Sequence, residues 1–260
     1  MFIPPPAGRR DLEDQLASEV RAEATILAGV QHPNVCIFMG ACMAPPNRAL
    51  VMELVSPGSL WEALREDSIP SVMSSDTDYI TPTGFWPWPL ITKVAEGIAR
   101  GMAYLHGHKP YPIVHRDLKS ANVLVDGLFN PKICDFGLST FMEDEGRGIT
   151  GDVGTAQWMA PEVLANLPYD QAVDVYSFGV VCWELLTREV PYKDLSQRQV
   201  AHEVLDKGLR PVIPQWCPQQ YALLIKMAWR SEADRRPSFA DVMSFFNNMP
   251  HPPRASDTNV

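Results

Sequence analysis

Between Val173 and Leu186 the chain is apolar on nearly every side, and no other stretch narrows the possible folds as much. A helix without a polar face has to be surrounded by other elements. It falls short of the ~18 residues that a bilayer span needs, so it reads as the centre of a helical lobe. Elements to surround it are visible. Ile91, Val94, Ala95, Ile98, Met102 and Leu105 share one face at helical spacing. Further helices are expected over 197–207, 221–229 and 239–247, the last opened by Ser238 as N-cap.

Ahead of this lobe the pattern changes. Leu12, Leu16, Val20, Leu27 and Val30 mark an amphipathic helix that His32-Pro33-Asn34 should end. Two short apolar runs follow, Val35 to Phe38 and Ala49 to Val55, parted by Pro45-Pro46-Asn47. Their length and β-branched content predict adjacent strands joined by a turn. Ser56-Pro57-Gly58 breaks the second run, and Ser59 is the expected N-cap of a short helix from Leu60 to Arg65. Residues 67–89 are rich in Ser, Thr and Pro without any period and read as a long surface insertion. The proline-rich start, 1–10, and the polar end, 250–260, are expected to be loose. The resulting class is α+β, with a small strand-containing part over 11–55 and a large, mainly α part over 56–249.

Charge and cysteine usage exclude several functions. The formal net charge is -9, with no block of Lys or Arg, which argues against nucleic acid and anionic lipid as partners. Five cysteines are scattered without a CxxC or Cys/His spacing, so neither a disulfide framework nor a zinc site is suggested. No stretch resembles a signal peptide or a membrane span. A soluble, cytoplasmic protein is expected.

Phosphoryl transfer demands little covalent chemistry of a protein. It needs a carboxylate to orient the attacking hydroxyl and oxygen ligands to hold Mg²⁺ against the phosphates. Asp117 and Asn122 supply one such pair, and Asp135 a further ligand. They stand in His115-Arg116-Asp117-Leu118-Lys119-Ser120-Ala121-Asn122, the spacing of a kinase catalytic loop. Asp135-Phe136-Gly137 follows two candidate strands, 123–125 and 132–134, and Ala160-Pro161-Glu162 comes later. On these motifs in this order, the chain resembles a eukaryotic protein kinase from about Asp11 to about Asn247.

The resemblance implies a bilobal kinase-like fold, ATP and Mg²⁺ as cofactors, and a protein substrate. It also implies roles. Asp117 would accept the substrate hydroxyl proton, Asn122 would bind one Mg²⁺, and Asp135 would bridge metal and nucleotide. Lys119 would meet the transferring phosphate, as in serine/threonine kinases. Glu53, Leu54 and Val55 would offer backbone groups to adenine, with Met52 gating the back pocket and Leu124 as its floor. Glu162 and Arg236 would form a buried ion pair, and Asp174 would brace the catalytic loop. The segment Gly154 to Glu162, with Phe38-Met39-Gly40-Ala41, resembles the tyrosine-kinase-like group of serine/threonine kinases near the Raf and mixed-lineage branches, acting in intracellular signalling.

Gly146, Gly148 and Gly151 formally satisfy GxGxxG. Without a preceding strand and a following helix, the match reads as activation-loop chain and not as a phosphate cradle. Ser139, Thr140 and Thr150 are candidate targets of an upstream kinase, with Arg116 offering a cation to a phosphate there. The family pattern is broken at its start. Its glycine-rich loop and strand lysine are not found, and the first lysine of the chain is Lys93. Glu23, on the apolar stripe of the first helix, matches the glutamate that would pair with such a lysine, leaving an incomplete small β lobe of one helix and two strands. Two readings stay open. One is a serine/threonine kinase whose chain has lost its first three strands, by truncation or a wrong start. The other is a pseudokinase-like fragment that serves as a protein-binding module. A small-molecule phosphotransferase on a related fold is a third, against which the Ala160-Pro161-Glu162 segment and Arg236 speak.

Overall fold

The structure is a computed structural model that describes residues 7–44, 47–66, 84–142 and 155–249. The chain opens with helix α1 (Ala7–Ala28) and an antiparallel pair, β1 (Phe38–Cys42) and β2 (Ala49–Met52). The helix starts inside the stretch expected to be loose, because after Pro6 nothing stronger than Gly8 interrupts good helix formers. The first apolar run is not itself the strand. Val35 makes a single parallel bridge to Ile133, and the Cys36 N–H donates to the Ile133 carbonyl at 2.8 Å. Burial of Val35 and Cys36 against that segment pulls them out of register with β2, so β1 begins only at Phe38.

A second layer follows. Strand β3 (Pro57–Ser59) leads into α2 (Leu60–Arg65) through the Ser59 cap. The Ser59 hydroxyl accepts from the Glu62 N–H, and the Glu62 carboxylate accepts from the Ser59 N–H. The same reciprocal arrangement opens the helices that follow Ser196 and Ser238, and each such cap contributes about 1 kcal/mol. Helix α3 (Trp88–His106) starts earlier than the sequence pattern indicates, inside the expected 67–89 insertion. Pro87 and Pro89 look like loop residues, but proline is compatible with a first helical turn, whose N–H groups have no partner in the helix. Trp86 and Trp88 are buried at this start. Arg188 ties the approach together, donating to the carbonyls of Leu64, Glu66 and Gly84.

Short strands then carry the loops of the site. β4 (Ile113–Val114) pairs with β7 (Thr140–Phe141), and β5 (Val123–Asp126) lies between β3 and β6 (Pro131–Ile133). The rest is helical: α4 (Pro161–Leu164), α5 (Ala172–Thr187), α6 (Gln197–Lys207), α7 (Gln219–Ala228) and α8 (Phe239–Asn248). Every residue of α5 from Val173 to Thr187 is buried, as its apolar sequence requires. Glycine brings its neighbours close. A Cβ at Gly179 would lie 2.9 Å from the Ala228 side chain, and one at Gly101 of α3 would lie 2.8 Å from the Asn34 carbonyl oxygen. At roughly 1.5–3 kcal/mol for each fully buried large apolar side chain, the Leu, Ile, Val and Phe residues of α3, α5, α7 and α8 form the main stabilising mass.

The architecture is therefore α+β, with few strands in the small part and a helical large part. All five cysteines are free. No helix among the described residues is long and apolar enough to cross a membrane. Gly146, Gly148, Gly151, Thr150, most of the expected insertion and the 250–260 end lie outside the described residues.

Candidate active site

The catalytic-loop backbone is held by one buried carboxylate. Asp174, in the first turn of α5, accepts the N–H of His115 at Oδ2 and the N–H of Arg116 at Oδ1, both at 2.8 Å. His106 of α3 contributes a third contact, Nε2 to Asp174 Oδ2 at 2.8 Å. Burial pushes the Asp174 carboxyl up, but the hydrogen bond to His106, the electrostatic pull of the His106 and His115 rings and the His115 amide outweigh it. Its pKa is net lowered, and the group stays ionised. The brace is needed because Arg116 has φ of 68°, a left-handed conformation unfavourable for a residue with a Cβ.

The His115 ring extends the brace to the next motif. Its Nδ1 accepts from the Asp117 N–H at 3.3 Å, which leaves the proton on Nε2 to be donated to the Cys134 carbonyl at 3.1 Å. The ring also meets Phe136 edge-on, centroids 5.2 Å apart. One buried histidine thus fixes the spacing between Asp117 and Asp135.

Asp117, Lys119 and Asn122 converge. Lys119 Nζ lies 2.6 Å from Asp117 Oδ2 and 3.0 Å from Thr155 Oγ1. Asn122 Nδ2 donates to the Asp117 carbonyl and to Asp117 Oδ2, both at 2.9 Å. The fold brings Thr155 here from beyond β7, so a hydroxyl joins the cluster that the reading of the catalytic loop alone does not supply. Its signal in the sequence was its place just ahead of Trp158-Met159-Ala160-Pro161-Glu162.

Asp135 sits apart from these three, exposed, with φ of 63°. Its Oδ1 accepts a long bond of 3.4 Å from the Gly137 N–H. Asn122 spends both donors on Asp117, which leaves its Oδ1 as an acceptor. Two oxygen donors with spare lone pairs suit a hard cation such as Mg²⁺. Glu23 of α1 faces the same place. Burial and the negative charge of Asp135 push its carboxyl above the ordinary range, and a hydrogen bond from the Phe136 N–H only partly offsets them.

Just past β2, the Glu53 side chain has a structural partner. Its Oε1 accepts from Lys132 Nζ at 2.8 Å and from the Ile37 N–H at 2.7 Å, and its own N–H donates to the Ile37 carbonyl. Among the described residues the Glu53 carbonyl is approached only by the Cys36 thiol, at 3.8 Å. Val55 is buried and makes no backbone bond among the described residues. Leu124 of β5 lies opposite Ser59, and Met52 lies opposite Phe38. Farther off, Arg236 grips Glu162 with two bonds of 2.5 and 2.8 Å, its side chain wholly buried.

The sequence profile of a family described as protein tyrosine and serine/threonine kinase matches residues 9–246. The chain belongs to this protein kinase family. Among its relatives, the probable serine/threonine-protein kinase drkC of Dictyostelium discoideum is 40% identical over 89% of this chain and 29% of its own length. The serine/threonine-protein kinases CTR1 and STY46 of Arabidopsis thaliana are each 37% identical, over 95% and 89% of this chain. They fit placement in the tyrosine-kinase-like group. The chain spans only 29% and 37% of the lengths of these two proteins.

Proposed function

We propose that the chain is the catalytic part of a cytoplasmic protein serine/threonine kinase that moves the γ-phosphoryl group of ATP to serine and threonine hydroxyls of a protein. The observation that carries this reading is the contact of Lys119 Nζ with both Asp117 and Thr155. Asp117 accepts the proton of the incoming hydroxyl on its carboxylate, which Asn122 and Lys119 hold in place through Oδ2. Lys119 bridges the base to Thr155 until a phosphate oxygen competes for its ammonium, so the cation is already placed where negative charge develops. Asn122 and Asp135 would hold Mg²⁺, which supplies charge neutralisation to the phosphates when bound. The Glu53 carbonyl and the Val55 backbone would meet adenine above Leu124. Ser139 and Thr140 would be the described targets of an upstream kinase.

A second reading is favoured by one observation. Among the described residues Glu23 makes no ion pair, and it faces another carboxylate, Asp135. On that reading the chain binds protein partners and transfers nothing. Incubation with labelled MgATP and a generic protein, followed by acid hydrolysis, separates the two. The kinase reading expects phosphoserine and phosphothreonine. Label confined to phosphotyrosine would overturn the substrate class, and a folded chain that neither binds ATP nor transfers label would favour the binding module.

A further inference from the structure

Two guanidinium groups lie over the ring of Tyr176 in α5, Arg210 at 5.0 Å and Arg236 at 5.2 Å from its centroid. Their surroundings differ. Arg236 has a carboxylate, Glu162, and all of its N–H groups are engaged: Nε and both nitrogens of the fork donate to Glu162 or to the carbonyls of Ala172, Arg230 and Ser231. Arg210 is fixed as firmly but has no anion. Its Nε donates to the Trp229 carbonyl at 2.9 Å, Nη1 to the Leu209 carbonyl at 2.8 Å and Nη2 to the Ser231 hydroxyl at 3.1 Å. One N–H on each of Nη1 and Nη2 is left without a partner among the described residues. No carboxylate among those residues lies within ion-pair distance of Arg210. A half-buried cation is thus aimed at a neutral hydroxyl.

Ser231 itself is exposed. It stands in the link between α7 and the 3₁₀ turn Ala233–Arg235, outside any helix. Two exposed carboxylates follow it, Glu232 and Asp234. An accessible serine trailed by acids suits a protein kinase whose peptide groove is basic. We propose that Ser231 is a phosphorylation site, modified by an acidophilic protein kinase, and that Arg210 holds the phosphate. In the transfer the bond from Ser231 Oγ to the γ-phosphorus of ATP forms and the bond from that phosphorus to the β–γ bridging oxygen breaks. ADP leaves with the electron pair, and the hydroxyl proton passes to the base of the modifying enzyme. The ester then places roughly -1.5 to -2 charges beside a guanidinium already directed at its oxygen. This site does not depend on the kinase reading of the chain itself.

The effect reaches the ion pair of Glu162. The turn that carries Ser231 also positions Arg236, which donates from Nε to the Arg230 carbonyl at 2.9 Å and from Nη2 to the Ser231 carbonyl at 3.2 Å. A phosphate on Arg210 ties this turn to the segment ahead of α7. Arg236 has no N–H to spare, so the phosphate does not draw it away from Glu162. Phosphorylation therefore tightens this corner of the large lobe.

The test installs phosphoserine at position 231 of the whole chain by stop-codon suppression, alone and with Arg210→Gln or Arg210→Lys. A phosphoserine without a cation loses its second proton at a pH of about 6. In the ³¹P spectrum the midpoint should fall to about 5 beside Arg210, because an adjacent cation favours the dianion. It should return to about 6 in Arg210→Gln and lie between the two in Arg210→Lys. Hydrogen exchange at the amides from Ser231 to Arg236 should slow by about 3- to 10-fold, and the melting temperature should rise by about 2–4 °C, with neither change in Arg210→Gln. A midpoint that stays near 6 with Arg210 present, or exchange that quickens, would overturn the ion pair. Separately, folded chain carrying Asp117→Asn, which excludes self-labelling, is incubated with an acidophilic protein kinase and MgATP and mapped by mass spectrometry. Phosphate should appear on Ser231 and vanish in Ser231→Ala. A Ser231 left unmodified would overturn the site.

Discussion

The two sides of the site are built to different standards. On the catalytic side, Asp117 and its neighbours rest on α5, buried along its length, and each polar group there is fixed by another: Asp174 by two amides and His106, His115 by Asp117 and Cys134. On the side proposed to meet the nucleotide stands a two-stranded sheet whose outward side chains are wet. Met39 of β1 is 70% exposed and Leu54, just past β2, 94%, and isolated two-stranded sheets are marginal. The difference assigns functions to regions. The proposed phosphate-transfer geometry is set by the large lobe, while the strands proposed to meet the nucleotide have the least buried support.

That contrast is open to attack by mutation, and the largest effect should come from the helical side. Arg236→Met leaves Glu162 without its cation in a largely buried place and should destabilise the fold by about 3–5 kcal/mol, read by urea unfolding. Gly101→Ala puts a methyl group against the backbone carbonyl of Asn34, which cannot swing away, so a loss of about 1–3 kcal/mol is expected. On the small sheet, Met39→Thr should change stability by no more than about 0.5 kcal/mol. A Met39→Thr variant as damaged as Gly101→Ala would erase the distinction between the two regions.

Dependence on pH sharpens it further. Glu184 has a folded pKa of about 7, above that of an unfolded glutamate. The native state therefore binds the extra proton between the ordinary carboxylate range and about 7, and this group's contribution falls as pH rises through that window. Asp174 has its pKa lowered. Its contribution is present above the ordinary aspartate range and is lost as pH falls through the native value. Thermal melts of Glu184→Gln and Asp174→Asn across pH should show opposite slopes relative to the unmodified chain, both arising from α5.

Much of this was legible in the residues. The order of His115-Arg116-Asp117, Asn122 and Asp135-Phe136-Gly137 located the cluster, and Ser59 and Ser238 announced their helices because capping is local chemistry. What misled was also local. Pro87 and Pro89 look like loop residues until the burial of Trp86 and Trp88 decides the matter, and Val35 and Cys36 look like a strand until the pairing with Ile133 claims them. Glu184 did leave a trace, a carboxylate that shares the apolar run with Asp174 alone. Burial of that charge demands partners, but which ones depends on segments that bring Arg65, Ser120 and Trp158 to it, and no spacing along the chain reveals them.

The most direct test of the catalytic claim compares Asp117→Asn with the unmodified chain in MgATP-dependent transfer of phosphate to a generic protein, with melting temperature as the control for folding. If Asp117 is the base held by Asn122 and Lys119, the variant keeps its fold and loses about 10²- to 10⁴-fold in rate. Transfer that survives the substitution unchanged would contradict the account.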